Sequence, residues 1–256
     1  MDDELVSIIV PTYNSNKYVI DTIESILHQT YNGWELLITD DCSTDNTWSI
    51  LKKYAGEDNR IKIFKLTKNQ GPGLARNNSI KHAAGRYIAF CDSDDKWYPD
   101  KLRKQISFMK EKDCALSYSS YKVIDESGGD LGRVLSKKTV DYKVMLRNNY
   151  IGCLTAMYDT QKVGKLYMPE IRKRQDWALW LKILKMTNAA YGIQESLAIY
   201  RKHNNSVSTN KIKLIKYNYE IYRNIEEFSL IKSLAKIFVF FFYYFSAKRN
   251  FIRTRT

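Results

Sequence analysis

The sequence predicts an α/β fold, a mostly parallel sheet with helices on both faces. Three observations lead there. Apolar runs at Ser7–Val10, Trp34–Thr39, Ile61–Phe64 and Tyr87–Phe90 are separated by segments of helix length, the rhythm of βαβ units. The first and last of these runs are unbroken, as strands buried on both faces are. Polar residues gather just beyond the carboxyl ends of the strands, at Thr12–Asn14, Asp40–Asp41 and Asp92–Asp95. Open α/β sheets bind ligands in that crevice.

The elements follow in order. The first strand stops at Pro11. From Lys17 the period changes, and Val19, Ile23, Ile26 and Leu27 share one helix face. The strand from Trp34 ends at Asp40–Asp41. Ser43, Thr44 and Asp45 then offer caps for a helix through Tyr54. Ile61–Phe64 is a third strand. Gly71-Pro72-Gly73 marks a turn before a helix to about Ala84, which Gly85 closes. After the fourth strand a helix runs from Pro99 to Lys112. Ala115–Ser119 and Gly152–Met157 read as strands, with a turn at Ser127–Asp130 between them. Trp177, Trp180, Leu181 and Leu184 keep helical spacing, with Asp176 at the head. The second half is mixed and less regular. Two helices are expected in the tail, over 211–228 and 230–246.

Composition bounds the function classes. The chain has 256 residues, 44% hydrophobic and 27% charged, which suits a globular protein and argues against disorder. Eleven Gly and four Pro exclude a collagen-like or linker-like chain. No repeat of solenoid period is visible. Cys42, Cys91, Cys114 and Cys153 form no C-x-x-C pair, so they are expected as reduced thiols rather than zinc ligands. The Met-Asp-Asp-Glu start has neither the basic residues nor the apolar stretch of a signal peptide, and a cytosolic protein is expected.

The net charge of +13 implies an anionic partner. Residues 206–256 hold ten Lys and Arg against three Glu, over half of that excess. Residues 237–245 within them are unbroken apolar or aromatic, flanked by Lys232, Lys236, Lys248 and Arg249. A spanning helix needs about 20 apolar residues, so this stretch suits a helix lying in a membrane interface. A helix packed on the enzyme, or a dimer contact, explains the aromatics too.

The strongest chemical cluster is Asp92-Ser93-Asp94-Asp95. Three carboxylates in four residues repel one another in a cleft unless a cation neutralises them. A hard divalent ion held by carboxylates and phosphate oxygens does so. The same spacing also occurs in solvated turns and helix caps; the preceding strand and the earlier Asp40–Asp41 favour the ion. In Asp40–Asp41 one carboxylate suits an N–H donor such as that of uracil, and either suits a helix cap. Arg76, in the helix after the glycine turn, suits an anion or plain solvent. Nucleic acid is not an expected partner, because an aspartate-rich rim repels phosphate. A nicotinamide dehydrogenase is excluded by Pro-Thr-Tyr-Asn where G-x-G-x-x-G belongs.

Four motifs in order, S-I-I-V-P-T-Y-N, D-D-C-S-T-D-N-T, N-Q-G-P-G-L-A-R-N and F-C-D-S-D-D, resemble the family 2 glycosyltransferases of the GT-A fold. The resemblance covers roughly residues 5–112 and continues more weakly through R-Q-D-W-A-L-W-L to about His203. It implies a Rossmann-like GT-A domain over 1–205, with a nucleotide-sugar-binding half (1–112), an acceptor half (113–205) and a basic, aromatic tail (206–256). It implies an inverting transfer of a sugar from a nucleotide diphosphate, a UDP-sugar, with Mn²⁺ or Mg²⁺ as cofactor. Pro11, Thr12 and Tyr13 match the loop that packs on the nucleoside, and Asp41 the contact to uracil. Arg76, Asp92 and the adjacent Ser93 match the donor site. Asp94 matches the metal-binding aspartate, with Asp95 close by. Asp176 matches the catalytic base; Gln175 stands where many relatives have Glu. Asp176 also suits a helix cap. His203 lies where relatives fold a loop over the diphosphate, as a metal ligand or phosphate contact helped by Arg201 and Lys202, or simply in solvent. Arg172, Lys173 and Arg174 suit an anionic acceptor or a solvated surface.

Relatives with this layout extend surface polysaccharides on a polyprenyl diphosphate carrier. The resemblance therefore implies a lipid-linked saccharide acceptor and peripheral association with the cytoplasmic face of the plasma membrane. A soluble or protein acceptor, or a nucleotide-sugar binder without catalysis, are the alternatives; the acids at 92, 94 and 176 argue against the latter.

Overall fold

The computed structural model describes residues 4–203, 211–247 and 251–252. Its first half alternates β1 (Val6–Thr12), α1 (Val19–Leu27), β2 (Trp34–Asp40), α2 (Thr47–Glu57), β3 (Ile61–Lys65), α3 (Pro72–His82) and β4 (Tyr87–Phe90). All the pairings here are parallel. β1 lies between β2 and β4, with Ile8 opposite Leu36 and Ala89, and β3 pairs with β2.

Period-2 side-chain alternation explains the unbroken apolar runs. Val6, Ile8 and Val10 face a core built with Ile23 and Ile26 of α1 and Leu51 of α2. Ile9 faces the opposite core, with Leu37, Ile88, Phe90 and Ile80 of α3. β1, β2 and β4 are therefore buried on both sides, and the helices cover both faces.

The second half holds β5 (Lys96–Trp97), α4 (Lys101–Glu111), β6 (Leu116–Ile124), β7 (Asp130–Val134), β8 (Thr139–Val140), α5 (Tyr142–Met145), β9 (Met157–Asp159), α6 (Thr160–Val163), α7 (Gln175–Met186) and β10 (Ala190–Arg201). After them come α8 (Lys211–Glu220), α9 (Leu230–Ala247) and β11 (Phe251–Ile252). Among the described residues the sheet runs β11-β7-β6-β9-β4-β1-β2-β3, with β10 parallel to β6. β9 joins the halves, antiparallel to both β4 and β6.

Three expectations change. Gly152–Met157 is not one strand: Cys153–Thr155 is a 3₁₀ turn, and β9 begins only at Met157. Side chains take the carbonyls a ladder would need, Trp97 Nε1 donating to Leu154 O (2.9 Å) and Gln105 Nε2 to Thr155 O (2.9 Å). Gly85 does not close α3, whose cap residue is Ala83. Gly85 is needed because a Cβ there would lie 2.6 Å from Ser7 N and 2.7 Å from Leu5 O. The first tail helix breaks at a π turn, Ile221–Ile225. Lys248 and Arg249 of the tail lie outside the described residues.

Glu35 shows how one acid is tolerated inside. It is buried, yet it accepts hydrogen bonds from Ser7 Oγ (2.6 Å), Lys62 Nζ (2.7 Å) and Ala84 N (2.7 Å). Burial raises its pKa, but these donors outweigh burial and hold it below the usual carboxylate range. Its stabilising contribution is thus present above the unfolded value near ~4.3 and is lost as pH falls through the lower folded value. Glu35→Gln is expected to cost roughly 1–3 kcal/mol at pH 7 and to flatten the acid limb of stability against pH. Urea unfolding at pH 7 and at pH 3 checks both effects.

Candidate active site

The carboxyl ends of β1, β2 and β4 open into one cavity of 760 Å³, within the size range of small-molecule sites. The loop after β1 forms its first wall. Asn14 adopts a left-handed backbone (φ 48°), which asparagine tolerates better than most residues. Its amide N–H donates to Ser43 Oγ (2.9 Å), and its Oδ1 accepts from Thr44 N (2.9 Å). Ser15 N donates to Thr47 Oγ1 (2.8 Å), and the hydroxyls of Ser15 and Ser93 share a hydrogen bond of 2.7 Å. Pro11, Thr12 and Tyr13 line the cavity, so the β1 loop is fixed to the loops after β2 and β4.

Asp40 and Asp41 divide their tasks. Asp40 turns inward and accepts from the Ser43 hydroxyl and amide. Asp41 lines the cavity and accepts from Gln70 N and Gly71 N, each at 2.7 Å. Gly71 has φ 91° and ψ 163°, a conformation open to glycine and strained for other residues. Asp41 thereby sets the turn that starts α3. From that helix Arg76 pairs with the Asp92 carboxylate, and both side chains line the cavity. Burial opposes the Arg76 charge, and the neighbouring groups, Asp92 foremost and Asp176 among them, outweigh it, so its pKa is raised. Arg76 Nε and Thr12 Oγ1 are buried without a hydrogen-bond partner among the described residues. Both belong to cavity-lining residues, and such orphaned groups call for a ligand.

Asp94 accepts from, or donates to, His203 Nε2 at 2.7 Å, and both side chains line the cavity. Burial, then the charge of Asp92, push the Asp94 carboxyl up. Asp95 departs from its expected place. It is buried, is not among the cavity-lining residues, and accepts from Arg201 N (2.9 Å). Its task is to hold the end of β10, so it is withdrawn from the metal set. Arg201 and Lys202 are likewise not part of the lining. Arg201 is buried, donating through Nε to Asp94 O (3.2 Å) and through Nη2 to Asp21 Oδ2 (2.9 Å). It clamps the acidic loop to α1 instead of waiting for phosphate.

Asp176 faces this rim from the first turn of α7. Arg174, just before the helix, is left-handed (φ 62°), a strained backbone of the kind found at functional sites. Gly73 of α3 lets Gln175 pack closely, since a Cβ there would lie 2.8 Å from Gln175 Cγ. Asp176 is half-buried and accepts from Asn149 Nδ2 (3.0 Å). Asn149 is itself oriented, because its Oδ1 accepts from Ile151 N (3.2 Å). Burial pushes the Asp176 carboxyl up, opposed by Arg76, the helix-start N–H of Trp177, Arg174 and Asn149. A carboxylate of raised pKa at a cavity wall is a better proton acceptor than an ordinary one.

The expected site residues thus converge, Asp95 excepted. Among the described residues no group of three or more His, Cys, Asp or Glu is arranged to hold a metal ion unaided. Asp94 and His203 fit a divalent cation that takes its other ligands from diphosphate oxygens and water. Arg172, Lys173 and Arg174 line the same cavity on the Asp176 side. Asn149, Ser15, Tyr18, Asn69 and Cys153 were not singled out by the sequence. Asn149 stands in Asn148-Asn149-Tyr150, which carries no signal beyond that of a turn.

The chain resembles known proteins in sequence and in fold. Residues 7–165 match the family described as Glycosyl transferase family 2. The putative teichuronic acid biosynthesis glycosyltransferase TuaG of Bacillus subtilis (strain 168) is 46% identical over 230 residues, 90% of this chain and 91% of that protein. WfgD of Escherichia coli, a UDP-Glc:alpha-D-GlcNAc-diphosphoundecaprenol beta-1,3-glucosyltransferase, is 37% identical over 93% of this chain and 91% of its own length. Among solved structures, S. aureus TarS 1-349 in complex with UDP-GlcNAc superposes with a TM-score of 0.72 and 25% identity, over 92% of this chain and 71% of that one. The mixed sheet flanked by helices is the GT-A architecture that the motifs predict. With its family match beginning in β1 and relatives aligned over nine-tenths of their length, the chain belongs to glycosyl transferase family 2.

Proposed function

We propose that the chain is an inverting, metal-dependent hexosyltransferase that moves a sugar from a UDP-sugar to a hydroxyl of a polyprenyl-diphosphate-linked saccharide in cell-surface polysaccharide synthesis. One observation carries the reading: a single cavity gathers Arg76, Asp92, Asp94 and Asp176. The UDP-GlcNAc complex of TarS supports the donor, and the diphosphoundecaprenol substrate in the name of WfgD supports the acceptor.

Residues 1–112 form the donor half, 113–205 the acceptor half and 206–256 the tail. Pro11, Thr12 and Tyr13 pack on the nucleoside, and Asp41 takes the uracil N–H on a lone pair that its backbone donors leave open. Ser93 and Arg76 bind at the donor phosphates. Asp94 and His203 would hold a divalent cation, Mn²⁺ or Mg²⁺, which would supply charge stabilisation for the departing diphosphate. Asp176 removes the proton of the acceptor hydroxyl as that oxygen bonds the anomeric carbon. The bond to the UDP oxygen breaks with its electron pair, and the configuration inverts. Arg172, Lys173 and Arg174 favour the anionic carrier. No described helix is long and apolar enough to cross a membrane, and the enzyme works peripherally at the cytoplasmic face of the plasma membrane.

The test is a panel of UDP-sugars with Mn²⁺ and a polyprenyl-diphosphate-linked saccharide, read by product mass. One added sugar on the lipid is the expected result. Transfer to soluble or protein acceptors alone, or donor binding without any transfer, contradicts the reading.

Asn149 gives an independent check. Asp176 must be ionised to accept a proton, so kcat falls as pH drops through its raised pKa. Asn149→Ala removes a donor that favours the charged form. The acid limb of kcat is expected to move to higher pH, with donor affinity unchanged. An acid limb that stays in place separates Asn149 from the base.

A further inference from the structure

We propose that the outer face of α9 is a docking surface for a bilayer with anionic headgroups, and that it sets the acceptor side of the cavity against that bilayer. The proposal rests on the lipid-linked acceptor read above and assigns the residues that make the contact.

The helix has two unlike faces. On the inner face Ser233 and Phe240 are fully buried. The Phe240 ring lies 6.0 Å from that of Trp177 and 5.2 Å from the Arg174 guanidinium. Trp177 and Arg174 flank the start of α7, where Asp176 stands. On the outer face Ile231 is 82% exposed, Leu234 53%, Phe238 80% and Phe242 70%. Their spacing of i, i+3, i+7 and i+11 puts them in one stripe. A contiguous exposed stripe of large apolar side chains marks an interaction surface.

Charge selects the occupant. Lys232 and Lys236 lie on α9, and the Arg147 guanidinium sits 5.2 Å from the ring of Tyr243 on the same helix. Burial lowers the Lys236 pKa, and the charges of Lys232 and Arg147 lower it further, so the three cations lie near one another beside this helix. A second copy of this face would meet like charge. An anionic lipid surface meets both features, headgroups against the cations and acyl chains against the Phe and Ile side chains. The 18-residue helix is about 27 Å long and is tied to the protein along its inner face, so it lies on the surface and does not enter end-on. Its contact with Arg174 and Trp177 then brings the Asp176 wall close to the plane in which a lipid-linked acceptor is held.

The experiment uses the full chain with vesicles of phosphatidylcholine alone or mixed with phosphatidylglycerol, read by co-sedimentation. The wild type is expected to bind the mixed vesicles and to bind the neutral ones weakly. Phe238→Ser with Phe242→Ser removes apolar side chains that are already exposed. It is expected to lower binding at least tenfold and to leave transfer to a water-soluble, short-chain acceptor unchanged. Lys232→Glu with Arg147→Glu is expected to abolish the preference for phosphatidylglycerol. Wild-type binding by the Phe pair overturns the proposal. So does a Phe pair whose sole effect is to turn a dimer into a monomer. Vesicle binding lost in the variants, with a wild type that never glycosylates the lipid carrier, keeps the surface and removes the acceptor; the reverse outcome removes the surface alone.

Discussion

Asp176→Asn is expected to lower transfer by about 10²–10⁴-fold, the usual contribution of a positioned general base, while the affinity for UDP-sugar stays within about twofold. The substitution keeps the volume and leaves an oxygen that can accept from Asn149 Nδ2, now at 3.0 Å from Asp176. Arg76, Asp92 and Asp94 are themselves unchanged, and Arg76 loses only the charge of Asp176 while keeping its pair with Asp92. The two effects therefore separate: calorimetric titration with UDP-sugar reads the donor wall, and single-turnover transfer reads the base. Unchanged turnover assigns the proton to another group and ends the role given to Asp176.

Asp94→Asn is expected to do the opposite, cutting metal-dependent donor binding by at least tenfold. Its effect on stability distinguishes a ligand from a structural acid. Burial and the neighbouring Asp92 raise the Asp94 carboxyl. A group whose folded pKa lies above its unfolded value contributes stability below the unfolded value and loses it as pH rises through the folded one. At neutral pH the ionised Asp94 therefore weakens the free fold, and Asn relieves that cost. Thermal unfolding of the free protein at pH 7 is expected to be unchanged or slightly higher in the variant, while titration with UDP and Mn²⁺ loses the metal dependence. A fall in unfolding temperature with intact donor binding makes Asp94 a structural residue only.

What the sequence makes legible follows from physics. β1 and β4 are buried on both faces, so their apolar runs are unbroken, and the residue after each run falls on the rim by construction. Asp41 and Asp92 are readable because they stand just beyond the ends of β2 and β4, and Asp94 because it shares a run of acids with Asp92. Asp95 belongs to the same run of acids, and only the turn of the loop sends it inward to Arg201 N. Gly85 reads as a helix stop, yet its constraint comes from Ser7 of β1 and from Leu5 just before it. The bond from Asn149 to Asp176 joins residues 27 apart, which no local pattern encodes. Arg201 shows the same limit. Its charge suggested phosphate, and its partners are Asp21 and the main chain of Asp94, far away in sequence. Strand ends and motif residues are local facts, whereas partners across the cavity are products of the packing.

A crystal structure of the chain with a UDP-sugar and Mn²⁺ decides whether one cavity holds an activated sugar between Asp176 and the group formed by Arg76, Asp92 and Asp94. The predicted result has the uracil beside Thr12 and Asp41, the diphosphate beside Arg76 and Asp94, and the sugar's anomeric carbon facing Asp176. Nucleotide bound outside this cavity, or a sugar turned away from Asp176, contradicts it.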